Sequence, residues 1–93
     1  MKRGYFITLE VPDGVGKTTQ IARLFNAVQK MGLHALQTRE PGGTAIGDAV
    51  RQILLNPDYS RMTTLTEALL YAASRAQLVQ EVIKPALLDG KVV

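Results

Sequence analysis

Three segments in succession near the start of the chain constrain its fold more than anything else in it. Tyr5-Phe6-Ile7-Thr8-Leu9 is a short apolar, β-prone run, as expected of a strand buried on both faces of a parallel sheet. Residues 10–19 then read Glu-Val-Pro-Asp-Gly-Val-Gly-Lys-Thr-Thr. After Lys17, the apolar residues Ile21, Leu24, Phe25, Val28 and Met31 recur at helical spacing, and Gly32 supplies a stop. Strand, glycine loop and helix in that order aim the positive end of a helix at an anion. Gly14 and Gly16 let successive N–H groups turn inward, Lys17 brings a cation to the outer phosphates of a nucleotide, and Thr18 offers a hydroxyl to a phosphate-bound magnesium. The bland alternative is an ordinary strand-to-helix turn; the context favours the phosphate loop, formed by Val11, Pro12, Asp13, Gly14, Val15, Gly16, Lys17, Thr18 and Thr19.

The usual pattern opens with a glycine, and Val11 stands in its place. If that position requires a positive φ, a β-branched residue there is strained by about 1–2 kcal/mol. If φ is negative, the Cβ merely crowds its surroundings.

Ninety-three residues make at most one small domain. With 46% hydrophobic and 20% charged residues, the composition is that of an ordinary globular chain. The net charge of +3 suits an anionic ligand, but the basic residues are scattered, which argues against a nucleic-acid surface. The absence of cysteine excludes a disulfide scaffold and thiol-ligated zinc. Lys2-Arg3 before Tyr5–Leu9 imitates a signal peptide only faintly, and no stretch is long enough to cross a bilayer. The expectation is a cytoplasmic protein.

Further along, His34 to Thr38 reads as a second short strand, and Arg39-Glu40-Pro41-Gly42-Gly43-Thr44 as a turn-rich loop. Ile46, Val50, Ile53 and Leu54 predict a short helix ending before Asn56-Pro57, and residues 56–63 a polar connection. Thr64-x-x-Glu67 is expected as a capping box opening the longest helix. Its core stripe is expected at Leu65, Ala68, Leu69, Ala72, Ala76, Val79 and Ile83, with a kink or restart at Pro85 and an end at Asp89-Gly90. Lys91-Val92-Val93 looks like the opening of a third buried strand. Strands alternating with helices imply a parallel sheet with right-handed crossovers. The fold expected is therefore α/β, the first part of a larger doubly wound domain cut just after the third strand begins. Apolar faces left open by such a cut predict poor solubility or association.

Several polar groups carry two readings. Asp13 is either a turn former before glycine or a partner for a sugar hydroxyl or acceptor. Arg39 and Glu40 are either a solvated ion pair at a turn or ligand contacts at the carboxyl end of a strand, where open parallel sheets bind. Tyr71 and Arg75, four apart on one helix face, either stack on and hydrogen-bond a nucleobase or form a surface cation–π pair. His34 has no evident partner, and Met31 and Met62 read as packing residues.

Together these segments strongly resemble the thymidylate kinase family, bacterial type, which phosphorylates dTMP with ATP. The resemblance is carried by Phe6–Glu10, Asp13–Gln20, Thr38–Thr44, Thr66–Gln77 and Ile83–Leu87, in family order along the whole chain. The phosphate loop is shared by many nucleotide enzymes; Arg-Glu-Pro-Gly-Gly-Thr and Tyr-Ala-Ala-Ser-Arg-Ala-Gln are far more specific. The resemblance implies a P-loop NTPase-type three-layer sandwich, with residues 1–93 the N-terminal part of one nucleoside monophosphate kinase domain. It implies that Lys17, Thr18 and the loop backbone hold ATP phosphates and Mg2+. Asp13 would meet the deoxyribose or acceptor, Glu40, Pro41 and Gly42 would border the dTMP pocket, Tyr71 would stack on thymine, and Arg75 would recognise the base. Lys17, Asp13 and Arg39 are the residues expected to be catalytic. The family usually forms a homodimer. Its Asp-Arg-Tyr-like segment, lid arginines and adenine-holding segment would lie past Val93, so little turnover is expected of the isolated chain. The competing expectation is a non-catalytic module that binds phosphate weakly or packs against a partner.

Overall fold

The computed structural model describes residues 3–10 and 16–93. Val11, Pro12, Asp13, Gly14 and Val15, the front of the expected phosphate loop, lie outside the described residues. Four α-helices are described: α1 (Lys17–Lys30), α2 (Ala45–Leu55), α3 (Thr64–Leu78) and α4 (Lys84–Leu88). A 3-10 turn at Pro57–Tyr59 falls within the expected polar connection, and a π-helical segment, Val79–Ile83, links α3 to α4. The chain divides into two compact units, Met1–Gln37 with Ala86–Val93, and Thr38–Pro85.

In the first unit, α1 starts and stops where the apolar spacing and Gly32 predict. Its half-buried face is Ile21, Phe25 and Val28, narrower than the expected stripe. Leu24 and Met31 are exposed, Met31 at 73%, which corrects its reading as a packing residue. At about 100° per residue they sit roughly 60° and 80° off the Ile21 direction, on the flank of the helix.

The expected strands form parallel contacts but no ladders. Tyr5 and Ala35 each make an isolated parallel bridge to Val92. Val93 N–H donates to the Tyr5 carbonyl and Ile7 N–H to that of Val93, while Val92 N–H donates to His34 and Leu36 N–H to Val92. Residues 91–93 thus lie between the two earlier segments. Each pairing is a single isolated bridge, and no extended strand develops among the described residues. Burial on both faces, expected for Tyr5–Leu9, does not occur either: Tyr5, Phe6 and Ile7 are exposed. Covering both faces of a parallel sheet takes helices above and below, and this unit holds one long helix and the end of α4. Val92 and Val93 are its buried apolar residues, together with Ala86.

In the second unit α2 packs on α3. Thr44 caps α2 by accepting the Gly47 N–H at 2.8 Å. The face α2 turns inward is Gly47, Val50, Arg51 and Leu54; Ile46 and Ile53, whose spacing helped predict the helix, are exposed. On α3 the cap is Thr63, not Thr64. Its extended backbone (φ −79°, ψ 160°) frees its hydroxyl to accept the Thr66 N–H at 3.1 Å and to meet the Thr66 hydroxyl at 2.8 Å. Of two adjacent threonines, the one with non-helical dihedrals becomes the cap.

The core stripe of α3 is also corrected. Leu65, Ala68, Leu69, Ala72 and Ala76 are exposed; Leu70 is half-buried, and Ser74 and Leu78 are 1% exposed. The stripe read from apolar residues alone passed over a serine, and the inward row runs through that serine. In the π-helical segment Ile83 is buried and Val79 half-buried. The Lys84 N–H reaches back five residues to the Val79 carbonyl. Pro85 then occupies the first turn of α4, where its missing N–H costs nothing. The helix restarts there. Among the described residues no helix is long and apolar enough to cross a membrane.

Candidate functional site

The first group of site residues is the start of α1. Gly16 caps the helix in the left-handed region (φ 81°, ψ 24°), which glycine enters without a Cβ penalty. The first helical hydrogen bond runs from Gln20 N–H to the Gly16 carbonyl at 3.0 Å. The N–H groups of Lys17, Thr18 and Thr19 precede it, and no acidic residue lies in this first turn. A helix start with leading N–H donors, a lysine and two exposed threonine hydroxyls is a place where an anion is stabilised. The exposed Thr18 hydroxyl is a neutral oxygen donor of the kind a hard cation accepts, so the residues present would suit magnesium.

The second group is the loop from Arg39 to Thr44 with α2 and α3 beside it. Every residue from Glu40 to Thr44 is tied down. The Glu40 carboxylate takes a bidentate pair of bonds from Arg75, Nε to Oε1 at 2.8 Å and Nη2 to Oε2 at 3.0 Å. The Pro41 carbonyl accepts from Arg51 Nη1 at 3.2 Å, and the Glu40–Pro41 peptide is cis. The Gly42 N–H donates to Ser74 Oγ at 2.9 Å, in a buried setting. The Gly43 N–H donates to Asp48 Oδ1 at 3.1 Å, and Thr44 caps α2. Gly43 has φ +85°, and a Cβ there would collide with Thr38 Oγ1 and Leu78 Cδ1. Only glycine lets this turn close against the core.

These contacts change the polar assignments. Glu40 pairs with Arg75, thirty-five positions away, and not with Arg39, the ion-pair partner in one of the two readings left open for these neighbours. The reason is geometric: neighbours in an extended turn diverge, whereas α3 brings a guanidinium fork face-on to the carboxylate. Arg39 and Arg51 both flank Gly42, within 4 Å of where its Cβ would be. Tyr71, 46% exposed, lies one turn before Arg75 on α3. The structure thus brings together Arg39, Glu40, Pro41, Gly42 and Arg75 around one loop, while Gly16, Lys17, Thr18 and Thr19 belong to the other unit.

Sequence reasoning passed over Ser74, Asp48 and Arg51. Asp48 could have been found as an acid in the first turn of a helix just after two glycines. Ser74 could have been found as a polar residue on an otherwise apolar inward row. Arg51 carried no signal beyond its α2 position.

Known proteins bear on this arrangement. The family model for thymidylate kinase matches residues 9–93. A thymidylate kinase of Exiguobacterium sibiricum is 56% identical over 90 residues, covering 97% of this chain and 42% of that protein. One of Pelotomaculum thermopropionicum is 55% identical over 91 residues, covering 98% and 42%. The crystal structure of thymidylate kinase from Ehrlichia chaffeensis superimposes with a TM-score of 0.83 at 35% identity, covering 98% of this chain and 50% of that one. That likeness supports a P-loop NTPase type of fold. The chain spans less than half the length of the curated relatives it matches. With the family match running over nearly all of its residues, the chain belongs to the thymidylate kinase family.

Proposed function

We propose that this chain takes part in transfer of the γ-phosphoryl group of ATP to dTMP, giving dTDP, with α1 serving the donor and the α2–α3 unit the acceptor. The observation that carries the reading is the joining of the two most specific segments: Glu40 to Arg75, and Gly42 to Ser74. ATP is the phosphoryl donor, and magnesium, held at Thr18, would neutralise charge on its phosphates. In-line phosphoryl transfer leaves the protein little covalent chemistry; positioning and charge neutralisation dominate.

Lys17 and the N–H groups at the start of α1 bind donor phosphates. The family resemblance assigns Val11, Pro12, Asp13, Gly14 and Val15 to nucleotide binding as well, with Asp13 serving the sugar or acceptor. Arg39 lies at the loop that borders the acceptor and offers a fixed positive charge to it. Tyr71 stacks on the base, and Arg75, oriented by Glu40, donates to the base edge. The finer form of the fold is a three-layer sandwich, and both units belong to one nucleoside monophosphate kinase domain. A homodimer in the cytoplasm completes the proposal.

The test is a coupled assay of the purified chain with ATP, magnesium and dTMP, alongside Lys17→Ala. Turnover lost in Lys17→Ala supports the reading. The competing reading is phosphate binding or packing without turnover. Binding of ATP and dTMP with no turnover supports that second reading, and binding of neither ligand sinks both nucleotide assignments.

A further inference from the structure

We propose that Ser74 is a positioning residue, whose buried hydroxyl fixes the Glu40–Thr44 loop and thereby sets the Glu40 carboxylate against Arg75. Ser74 and Arg75 are consecutive on α3, and they grip two points of one loop, Gly42 and Glu40. The two grips differ in environment. The Arg75 and Glu40 side chains are 67% and 37% exposed, so water and salt screen their attraction. Ser74 is 1% exposed, and the bond it accepts from Gly42 N–H is buried. Losing that acceptor would leave a buried donor unpaired, which a screened surface pair cannot offset.

Packing reinforces the tether. Gly47 of α2 presses against the same hydroxyl, since a Cβ there would lie 3.0 Å from Ser74 Oγ and 3.0 Å from the Gly42 carbonyl. Asp48 holds the next N–H, that of Gly43. The loop is therefore set from its buried side, and the exposed Glu40–Arg75 fork follows. The consequence for dTMP rests on the acceptor reading above; the tether itself rests on geometry.

The experiment uses the full chain labelled with 15N. It follows exchange of the Gly42 amide and the resonance of Arg75 Nε–H, and titrates dTMP and a non-hydrolysable ATP analogue. In Ser74→Ala the Gly42 amide exchanges about tenfold faster, the Arg75 Nε–H signal shifts or broadens, and dTMP binds about tenfold more weakly, while the ATP analogue binds unchanged. Ser74→Cys, with a weak sulfur acceptor, falls between. Glu40→Gln perturbs the Arg75 signal but leaves the Gly42 amide protected. If Ser74→Ala fails to fold, the Ser74→Cys and Glu40→Gln pair decides. An Arg75 signal unmoved in the Ser74 variants, or a Gly42 amide released as fully by Glu40→Gln, overturns the proposal. A wild-type chain with this spectroscopic pattern that binds no dTMP supports the tether and removes the acceptor reading. One that binds dTMP with affinity indifferent to Ser74 overturns the positioning role.

Discussion

Replacing Gly47 by alanine sets two effects of opposite sign against each other. In a helix interior, glycine is worse than alanine by about 1 kcal/mol, so an unconstrained site would be stabilised by the change. Gly47 is constrained. A Cβ there would lie 2.9 Å from Thr44 Oγ1 and 3.0 Å from both the Gly42 carbonyl and Ser74 Oγ. None of the three is an idle side-chain end. Thr44 Oγ1 is the cap of α2, Ser74 Oγ is the acceptor for Gly42, and the third is backbone. Relieving the contact by moving Thr44 costs about 1 kcal/mol of capping, and displacing Ser74 leaves a buried N–H unpaired at about 1–3 kcal/mol. Tolerating the contact costs overpacking strain of about 1–3 kcal/mol. Any of these routes matches or exceeds the propensity gain, and with several needed at once the net is a destabilisation of about 1–3 kcal/mol. In urea unfolding followed by circular dichroism, the midpoint falls; in a thermal scan each kcal/mol is about 4–8 °C for a domain of this size. A variant as stable as the parent, or more stable, would refute the close approach of α2 to the loop and α3.

Five other substitutions, grouped in three tests, probe the packing and capping assignments. Thr38 Oγ1 is buried with no hydrogen-bond partner among the described residues, so Thr38→Val is expected to be neutral or stabilising by up to about 1 kcal/mol; a loss of more than that would refute the reading. Leu78→Ala should cost about 2–5 kcal/mol and Leu65→Ala under about 0.5, because one is 1% and the other 69% exposed; comparable losses in urea unfolding would restore the stripe read from spacing. Thr63→Ala should cost about 1 kcal/mol of stability and Thr64→Ala a few tenths, the reverse order placing the cap one residue later.

Helix positions were legible in the sequence wherever punctuation was strong. Gly16 and Gly32 bracket α1, and Asn56-Pro57 ends α2. The faces those helices bury were much less legible. Apolar spacing chose Leu65, Leu69 and Ala72 on α3, yet the inward row is Leu70, Ser74 and Leu78. A serine enters that row because a backbone N–H on the facing loop needs an acceptor, and no periodicity encodes a partner thirty-two positions away. The cap of α3 shows the same limit at short range: two adjacent threonines have the chemistry, and the backbone dihedrals select one.

The sequence by itself determined the chemistry on offer. A lysine and threonines open a helix after glycines, and two specific loop and helix segments follow in order. Those are properties of residue type and spacing, carried by local backbone geometry. Only the tertiary structure decided which groups meet: Glu40 with Arg75 in place of Arg39, Gly42 with Ser74, and residues 91–93 between two segments that precede them by more than fifty positions. Such pairings depend on loop closure and on the packing of distant faces, where a hydrogen bond forms only after non-local contacts have brought its partners together.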